Sequence, residues 1–321
     1  MKRLLRCVAV IALATFALPS FAEDYPSRPV KIIVPFGAGG PADVTARLLA
    51  QTLQDRLKQP FVVEDKPGAG AVIGTMEVAR AAADGYTLLM MSNTQTANES
   101  LLPQRNYELM RDFVPVAPVN TSDLVIVVNP SVPAKTLKEF IALAKSEPGR
   151  LNYASSGTGT PYHMAGELFK AMTGTDIVHV PHRSSGEART SVLGGQVQMM
   201  IDAVTTMAPN VSAGQVRALA TTGKTRSSVL PDVPTADEAG VPGYEATIWL
   251  GVMAPKGTPQ AIVDKLNAEI NLAIKQPETI KLWAAQGATP MTMSPAEFDR
   301  FLRADIVKWA GVVKTFPNKP Q

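Results

Sequence analysis

Short apolar runs and amphipathic stretches alternate along most of the chain, and that alternation predicts an α/β fold. Val30 to Phe36 reads as a first strand, followed by a helix over Ala42 to Lys58 with Leu49, Leu53 and Leu57 on one face. Phe61 to Glu64 and Tyr86 to Met91 read as further strands, with a helix between them after the turn Asp65 to Gly70. In the second half, Leu124 to Val128, Leu151 to Ala154, Ile177 to Val180, Val197 to Ala203, Val216 to Thr221 and Ile248 to Ala254 read as strands. Val197 to Ala203 and Val216 to Thr221 are separated by a polar segment containing proline. Helix starts are marked by Thr136 with Glu139, Pro161, Ser184 with Glu187, Thr258-Pro259, and Ser294-Pro295 with Glu297. No fixed-period repeat and no flexible linker interrupts the series, so the chain is expected to cross between two lobes more than once.

Two turns rich in glycine stand out, each between a strand-like run and a helix start. One is Pro35-Phe36-Gly37-Ala38-Gly39-Gly40-Pro41; the other is Ser155-Ser156-Gly157-Thr158-Gly159-Thr160-Pro161, which adds four hydroxyls. Glycine admits close approach of a ligand, and the first N–H groups of a helix have no partner inside it. Such a turn can take an anion through backbone donors and the helix dipole. One turn in each half suggests a cleft closing on a small acid from both sides.

The N-terminus bears on compartment. Lys2, Arg3 and Arg6 precede the apolar stretch Cys7 to Leu18, and Ser20-Phe21-Ala22 is a small-x-small cleavage signal. This is the pattern of a secretory signal peptide cut after Ala22, with an apolar segment too short to span a bilayer. Cleavage removes three basic residues, no acidic ones and the only cysteine, leaving 28 Lys+Arg against 28 Asp+Glu. A neutral exported chain without cysteine argues against nucleic acid or anionic membrane as partner, and against thiol chemistry.

The chemistry-bearing residues admit several readings. Gly37-Ala38-Gly39-Gly40-Pro41-Ala42 matches G-x-G-x-x-A, and Glu64 ends the next strand, as a dinucleotide site would require. An exported protein rarely meets nicotinamide cofactors, and a small-anion site uses the same helix-end physics. Asp43 sits inside the first turn of its helix, where a carboxylate is stabilised by the dipole or can accept bonds from a ligand or ordered water. His163 lies just after the second turn, His182 and Arg183 precede a helix start, and Asp202 ends a strand; each is a candidate ligand contact. The histidines His163, His179 and His182 form no metal-binding spacing. There is no G-x-S-x-G nucleophile elbow, so neither a metal nor a catalytic serine is expected.

Taken in order, these residues resemble the Bug family of periplasmic solute receptors, the binding components of tripartite tricarboxylate transporters. The resemblance rests on P-F-x-x-G-G-x-x-D at Pro35 to Asp43, on Pro67 to Gly70, and on Asp84-Gly85-Tyr86-Thr87-Leu88-Leu89. It continues in Ser155 to Thr160 with His163, His179-Val180-Pro181, Leu193 to Gln196, Leu230 to Thr235 and Ala254 to Pro259. It implies a two-lobed, type II-like flytrap fold with two crossovers, lobe one over 24–120 plus 251–321 and lobe two over 121–250. It also implies a non-catalytic receptor that delivers its ligand to membrane subunits, with a periplasmic enzyme acting on an organic acid or ester, or a ligand sensor for a signalling partner, as the alternatives; the missing motifs point to no cofactor, and a monomer is expected. Carried over residue by residue, Phe36, Gly37, Ala38, Gly39, Gly40 and Asp43 form one jaw. Ser155, Ser156, Gly157, Thr158, Gly159, Thr160, His163 and Asp202 form the other, with Ser92 and Thr94 as further candidates. Where many relatives have aromatic-Lys-Gly after His-Val-Pro, this chain has His182-Arg183-Ser184, and Asp65 replaces a common asparagine. An arginine beside the cleft suits a second acidic group, as in a dicarboxylate or an acidic amino acid.

Overall fold

The computed structural model describes residues Tyr25–Lys314 and Phe316; the signal-peptide reading over Met1 to Ala22 lies outside the described residues. The chain opens with β1 (Val30–Val34), α1 (Pro41–Leu57), β2 (Phe61–Asp65), α2 (Val72–Ala79), β3 (Thr87–Ser92), α3 (Asn93–Leu101) and α4 (Leu109–Asp112). The long strand β4 (Phe113–Val128) follows, then α5 (Leu137–Ser146), β5 (Asn152–Ser155), α6 (Pro161–Thr173), β6 (Val178–Pro181) and α7 (Ser185–Leu193). Next come β7 (Met199–Ala203), α8 (Val204–Ser212), β8 (Arg217–Thr221) and β9 (Thr247–Pro255). The last elements are α9 (Gln260–Ile274), α10 (Pro277–Gln286), β10 (Ala288–Pro290) and α11 (Pro295–Val313).

The strands form one curled sheet in two halves, one per lobe. In the first half β2, β1 and β3 run parallel, and β9 joins β3 antiparallel. In the second half β6, β5 and β7 run parallel. The joint is β4: its residues from Phe113 to Asp123 pair with β9, and those from Leu124 to Val128 lie between β7 and β8. Parallel strands covered on both faces should be apolar almost throughout. Val30, Ile32, Ile33 and Val34 in β1 are fully buried accordingly, as are Leu88 to Met91 in β3. Ile33, Leu89, Met91, Trp249, Met253 and Phe298 pack one face of the first half. Val125, Val127, Ala188, Val192, Met200 and Met207 do the same in the second.

Two crossovers join the lobes, one within β4 and one between β8 and β9. Thr222 fastens them together. It is fully buried; its Oγ1 accepts from Leu124 N at 2.9 Å and lies 2.5 Å from the Ala246 carbonyl oxygen, to which it donates.

Several elements differ from the sequence reading. The strand read as Leu124 to Val128 is 16 residues long, because Pro115 and Pro118 sit where its pairing with β9 shifts register and needs no N–H there. The polar segment before β8 is the helix α8, with Pro209 inside it. Helix α9 begins at Gln260; Pro259 is its N-cap, while Thr258 Oγ1 turns back onto the Pro255 carbonyl.

Candidate functional site

The first jaw is the turn from β1 into α1. Pro41 occupies the first helical position, where no N–H is needed, and Gly40 is the N-cap. Asp43 is buried and turned inward: its Oδ2 accepts from Gly39 N at 2.8 Å, and its Oδ1 pairs with Arg47 Nε at 2.5 Å. Arg47 also binds Asp65 at 3.0 Å, so Asp65 completes a clasp behind the turn. The carboxyl of Asp65 is raised above its ordinary value, by burial first and by Asp43 second. Among the described residues no acceptor meets the N–H groups of Gly37, Ala38 or Gly40.

The second jaw is the turn from β5 into α6, with Thr160 as N-cap and Pro161 at the first helical position. Ser155 and His163 brace this turn from behind. Ser155 Oγ accepts from Gly157 N at 3.1 Å and lies 2.6 Å from His179 Nε2; Gly159 N donates to His163 Nδ1 at 3.2 Å. The His163 and His179 rings stand 4.3 Å apart, and Tyr153 stacks on His179 at 4.9 Å. Burial pushes the His163 imidazole down to about 4, and burial with His163 nearby pushes His179 down to about 3. Both rings are neutral at neutral pH and act as struts.

A third turn, from β6 into α7, belongs to the same jaw. Ser184 caps α7 through Glu187 N, and Glu187 reaches back to Arg183 N. The Arg183 side chain is exposed and makes no ion pair among the described residues.

The two jaws meet across the cleft. A β-carbon on Gly37 would lie 2.5 Å from the β-carbon of Ser184, and one on Gly40 would lie 3.3 Å from Ser185 Oγ. Farther along, Gly70 (φ +62°) faces the Thr158 carbonyl, where a β-carbon would have only 2.8 Å. Met164 of α6 packs with Ala97 and Leu101 of α3 and with Trp309, Val313 and Phe316 at the C-terminus, which seals the seam with an apolar cluster.

Two chambers remain between the jaws. The inner hollow, about 20 Å³, is bounded by Phe36, Gly37, Gly40, Ser92, Ser156, Tyr162 and Ser185, with Pro41, Ala42, Pro161 and Ile248. It has room for a water or the end of one carboxylate. The outer chamber, about 410 Å³, shares Phe36 and Ser156 and adds Pro35, Pro67 to Ala71, Gly157, Thr160, His182 and Arg183.

Of the residues expected to meet a ligand, Phe36, Gly37, Gly40, Ser92, Ser156, Gly157, Thr160, His182 and Arg183 line these chambers. Thr158 lines an outer groove with Leu102 to Arg105. Ala38, Gly39 and Gly159 shape the turns without lining either chamber. Asp43, Ser155 and His163 lie behind the walls as described. Thr94 is fully buried and takes a hydrogen bond from Ser92 Oγ at 3.0 Å. Asp202 is fully buried and bound by Arg189 at 3.0 Å and by Ala203 N at 2.9 Å. The sequence reading did not single out Tyr162, Ser185 or Ile248. Tyr162 and Ser185 each sit just past a helix start that the sequence predicts, and that position is the available signal.

The described residues hold no cluster of His, Cys, Asp and Glu that could bind a metal, and no helix among them is long and apolar enough to cross a membrane. Glu64, the residue a dinucleotide reading would use, is bound by Lys31 at 2.8 Å.

Comparison with known proteins gives this geometry a context. The chain is 42% identical to Protein BugT of Bordetella pertussis over 317 residues, covering 98% of this chain and 97% of the relative. It superposes on R. palustris Rpa4515 with adipate (TM-score 0.88, 35% identity, 91% of this chain and 98% of that one). It also superposes on MatC from Rhodopseudomonas palustris with bound malate (TM-score 0.86, 34% identity, 90% and 99%). Such neighbours are two-lobed periplasmic binding proteins, and the family's members are solute-binding receptors, not enzymes. Residues 45–317 match the profile of the tripartite tricarboxylate transporter family receptors, and with these relatives the match shows that the chain belongs to that family, the Bug receptors.

Proposed function

We propose that this protein is a periplasmic receptor that captures a small organic acid between its jaws and delivers it to the membrane subunits of a tripartite tricarboxylate-type transporter. The observation that carries the reading is the meeting of two glycine turns, each at a helix N-terminus, around chambers walled by hydroxyls and free backbone N–H groups. Donors without formal charge can hold a carboxylate and still release it. Arg183 adds one unpaired positive charge at the outer chamber, which suits the second acidic group of a dicarboxylate or an acidic amino acid. Adipate and malate, bound by two relatives, are both diacids.

On this reading the mature chain begins after Ala22 and acts as a monomer. Lobe one spans 24–120 plus 251–321, and lobe two spans 121–250. The β4 pairing switch after Asp123 and the Thr222 clasp support hinges close to those bounds. Ligand favours the closed form because only there do both turns touch it.

The test is calorimetric titration of the mature protein with mono-, di- and tricarboxylates, with recovery of each acid afterwards. One or more acids should bind at one site per chain and be recovered unchanged. Binding of none, or conversion of an acid, would falsify the receptor reading. Loss of acid uptake on deleting the gene, restored by the wild-type chain, tests the transport role.

A further inference from the structure

The last described residue, Phe316, reaches across the seam between the lobes. Helix α11, which leads to it, is 19 residues long, about 28 Å at a rise of 1.5 Å per residue. The start of that helix is rooted in lobe one, where Phe298 and Leu302 pack with Ile33, Leu89 and Met253. At its middle, Asp305 accepts from Thr96 Oγ1 at 2.5 Å and ties it to α3. Its far end meets the other lobe. Phe316 is 6% exposed and stands edge-on to the His163 ring, with 6.0 Å between centroids. Trp309 and Val313 join it in the cluster that holds Met164 of α6.

This contact bears on the second jaw without entering it. Phe316 lines neither chamber. The His163 ring that it covers accepts from Gly159 N, and that bond braces the turn into α6. Helix α3 presses on the same stretch from lobe one: a β-carbon on Gly159 (φ +81°) would lie 2.6 Å from Asn98 Oδ1. Because α11 is anchored in lobe one, parting the jaws would draw Phe316 off His163 and uncover the cluster around Met164. Returning that apolar surface to water is unfavourable, so the contact favours the closed form.

We propose that the end of α11 is a latch across the seam: Phe316 seats against His163, beside Met164, when the jaws meet, and slows release of an acid that it never touches. This rests on the receptor reading above and adds to it a residue that governs the lifetime of the closed form.

The experiment is stopped-flow binding of succinate, malate and adipate to wild type, Phe316→Ala, Phe316→Leu, Met164→Ala and the double alanine variant. For each acid that binds wild type, Phe316→Ala should raise the dissociation rate constant about tenfold and leave association within about twofold, since the latch forms after capture. Phe316→Leu, which keeps apolar bulk, should recover most of the difference. Met164→Ala should act in the same direction, and the double variant should lose less than the two single losses multiplied, as partners in one contact do. The melting temperature of Phe316→Ala should fall more with acid bound than without it. An unchanged dissociation rate in Phe316→Ala would overturn the latch and leave the receptor standing. An equal fall in melting temperature with and without acid would do the same, marking Phe316 as packing within lobe one. If none of these acids and no other mono- or tricarboxylate binds wild type, the receptor reading fails and the latch with it.

Discussion

Gly37 and Ser184 come so close across the cleft that a β-carbon on the glycine would sit 2.5 Å from that of the serine. Real β-carbons do not approach so closely, so a side chain on Gly37 must part the jaws. Gly37 does not have a positive φ, which leaves alanine free of backbone strain there. Gly37→Ala should therefore raise the Kd for the acid about tenfold or more with little change in ligand-free melting temperature. Small-angle scattering should show a larger radius of gyration for the liganded variant than for liganded wild type.

Arg183→Ala tests the charge at the outer chamber. The side chain is exposed and unpaired, so its removal should not cost stability. It should weaken a diacid several-fold while leaving a monoacid of similar length nearly unchanged. It should also flatten the salt dependence of diacid binding, because the attraction across the open chamber is screened by salt. Equal losses for both acids would show that Arg183 does not read the second carboxylate.

The His163–His179 pair makes stability depend on pH. Both imidazoles are depressed in the folded state, to about 4 and about 3, against about 6.5 in an unfolded chain. Between those values the unfolded state holds protons that the folded state refuses. Their contribution is therefore fully retained above pH 6.5 and is lost as pH falls toward 4, at about 1.4 kcal/mol per pH unit for each group that stays neutral. Melting temperatures across pH 4–7 should show this slope, and His179→Gln should reduce it while keeping an amide beside Ser155. An identical slope in the variant would place the acid sensitivity elsewhere.

Thr222→Val keeps the shape of the buried hinge residue and removes its hydroxyl. Leu124 N–H and the Ala246 carbonyl then lose a partner in a place water does not reach. Each group left unpaired costs about 1–3 kcal/mol, so with two of them chemical denaturation should register a loss of about 2–6 kcal/mol. Thr222→Ser, which keeps the hydroxyl, should recover most of it.

The parts of the fold that glycine and proline punctuate were legible in the sequence. The β1–α1 and β5–α6 turns carry Pro41 and Pro161 at the first helical position, and the structure has both helices starting there. Helix α3 was not legible, because Asn-Thr-Gln-Thr-Ala-Asn-Glu-Ser-Leu has no apolar stripe. It is buried all the same, and side-chain bonds tie it to its surroundings: Gln95 to Thr75, Thr96 to Asp305 and Asn98 to the Gly70 carbonyl. Residue type alone also could not tell a wall from its brace. Asp43 and Asp202 read as ligand contacts at a helix start and a strand end, but the arginines that claim them, Arg47 and Arg189, are brought near only by the fold. Tyr162 was invisible for the converse reason, since an aromatic beside a helix start reads as core until the fold sets it against the inner hollow.

The Thr222 clasp governs how many ways the cleft can open. One hydroxyl serves the segment leaving lobe one and the segment returning to it, so neither strand can bend without carrying the other. Twisting and sliding would break the shared bonds; a rocking motion about the line between Leu124 and Ala246 preserves them. If the jaws open about this clasp, the two segments move together, and the spacing of the rims would follow what lies between them. A membrane partner touching only the outer edges could distinguish a loaded receptor from an empty one without ever meeting the acid.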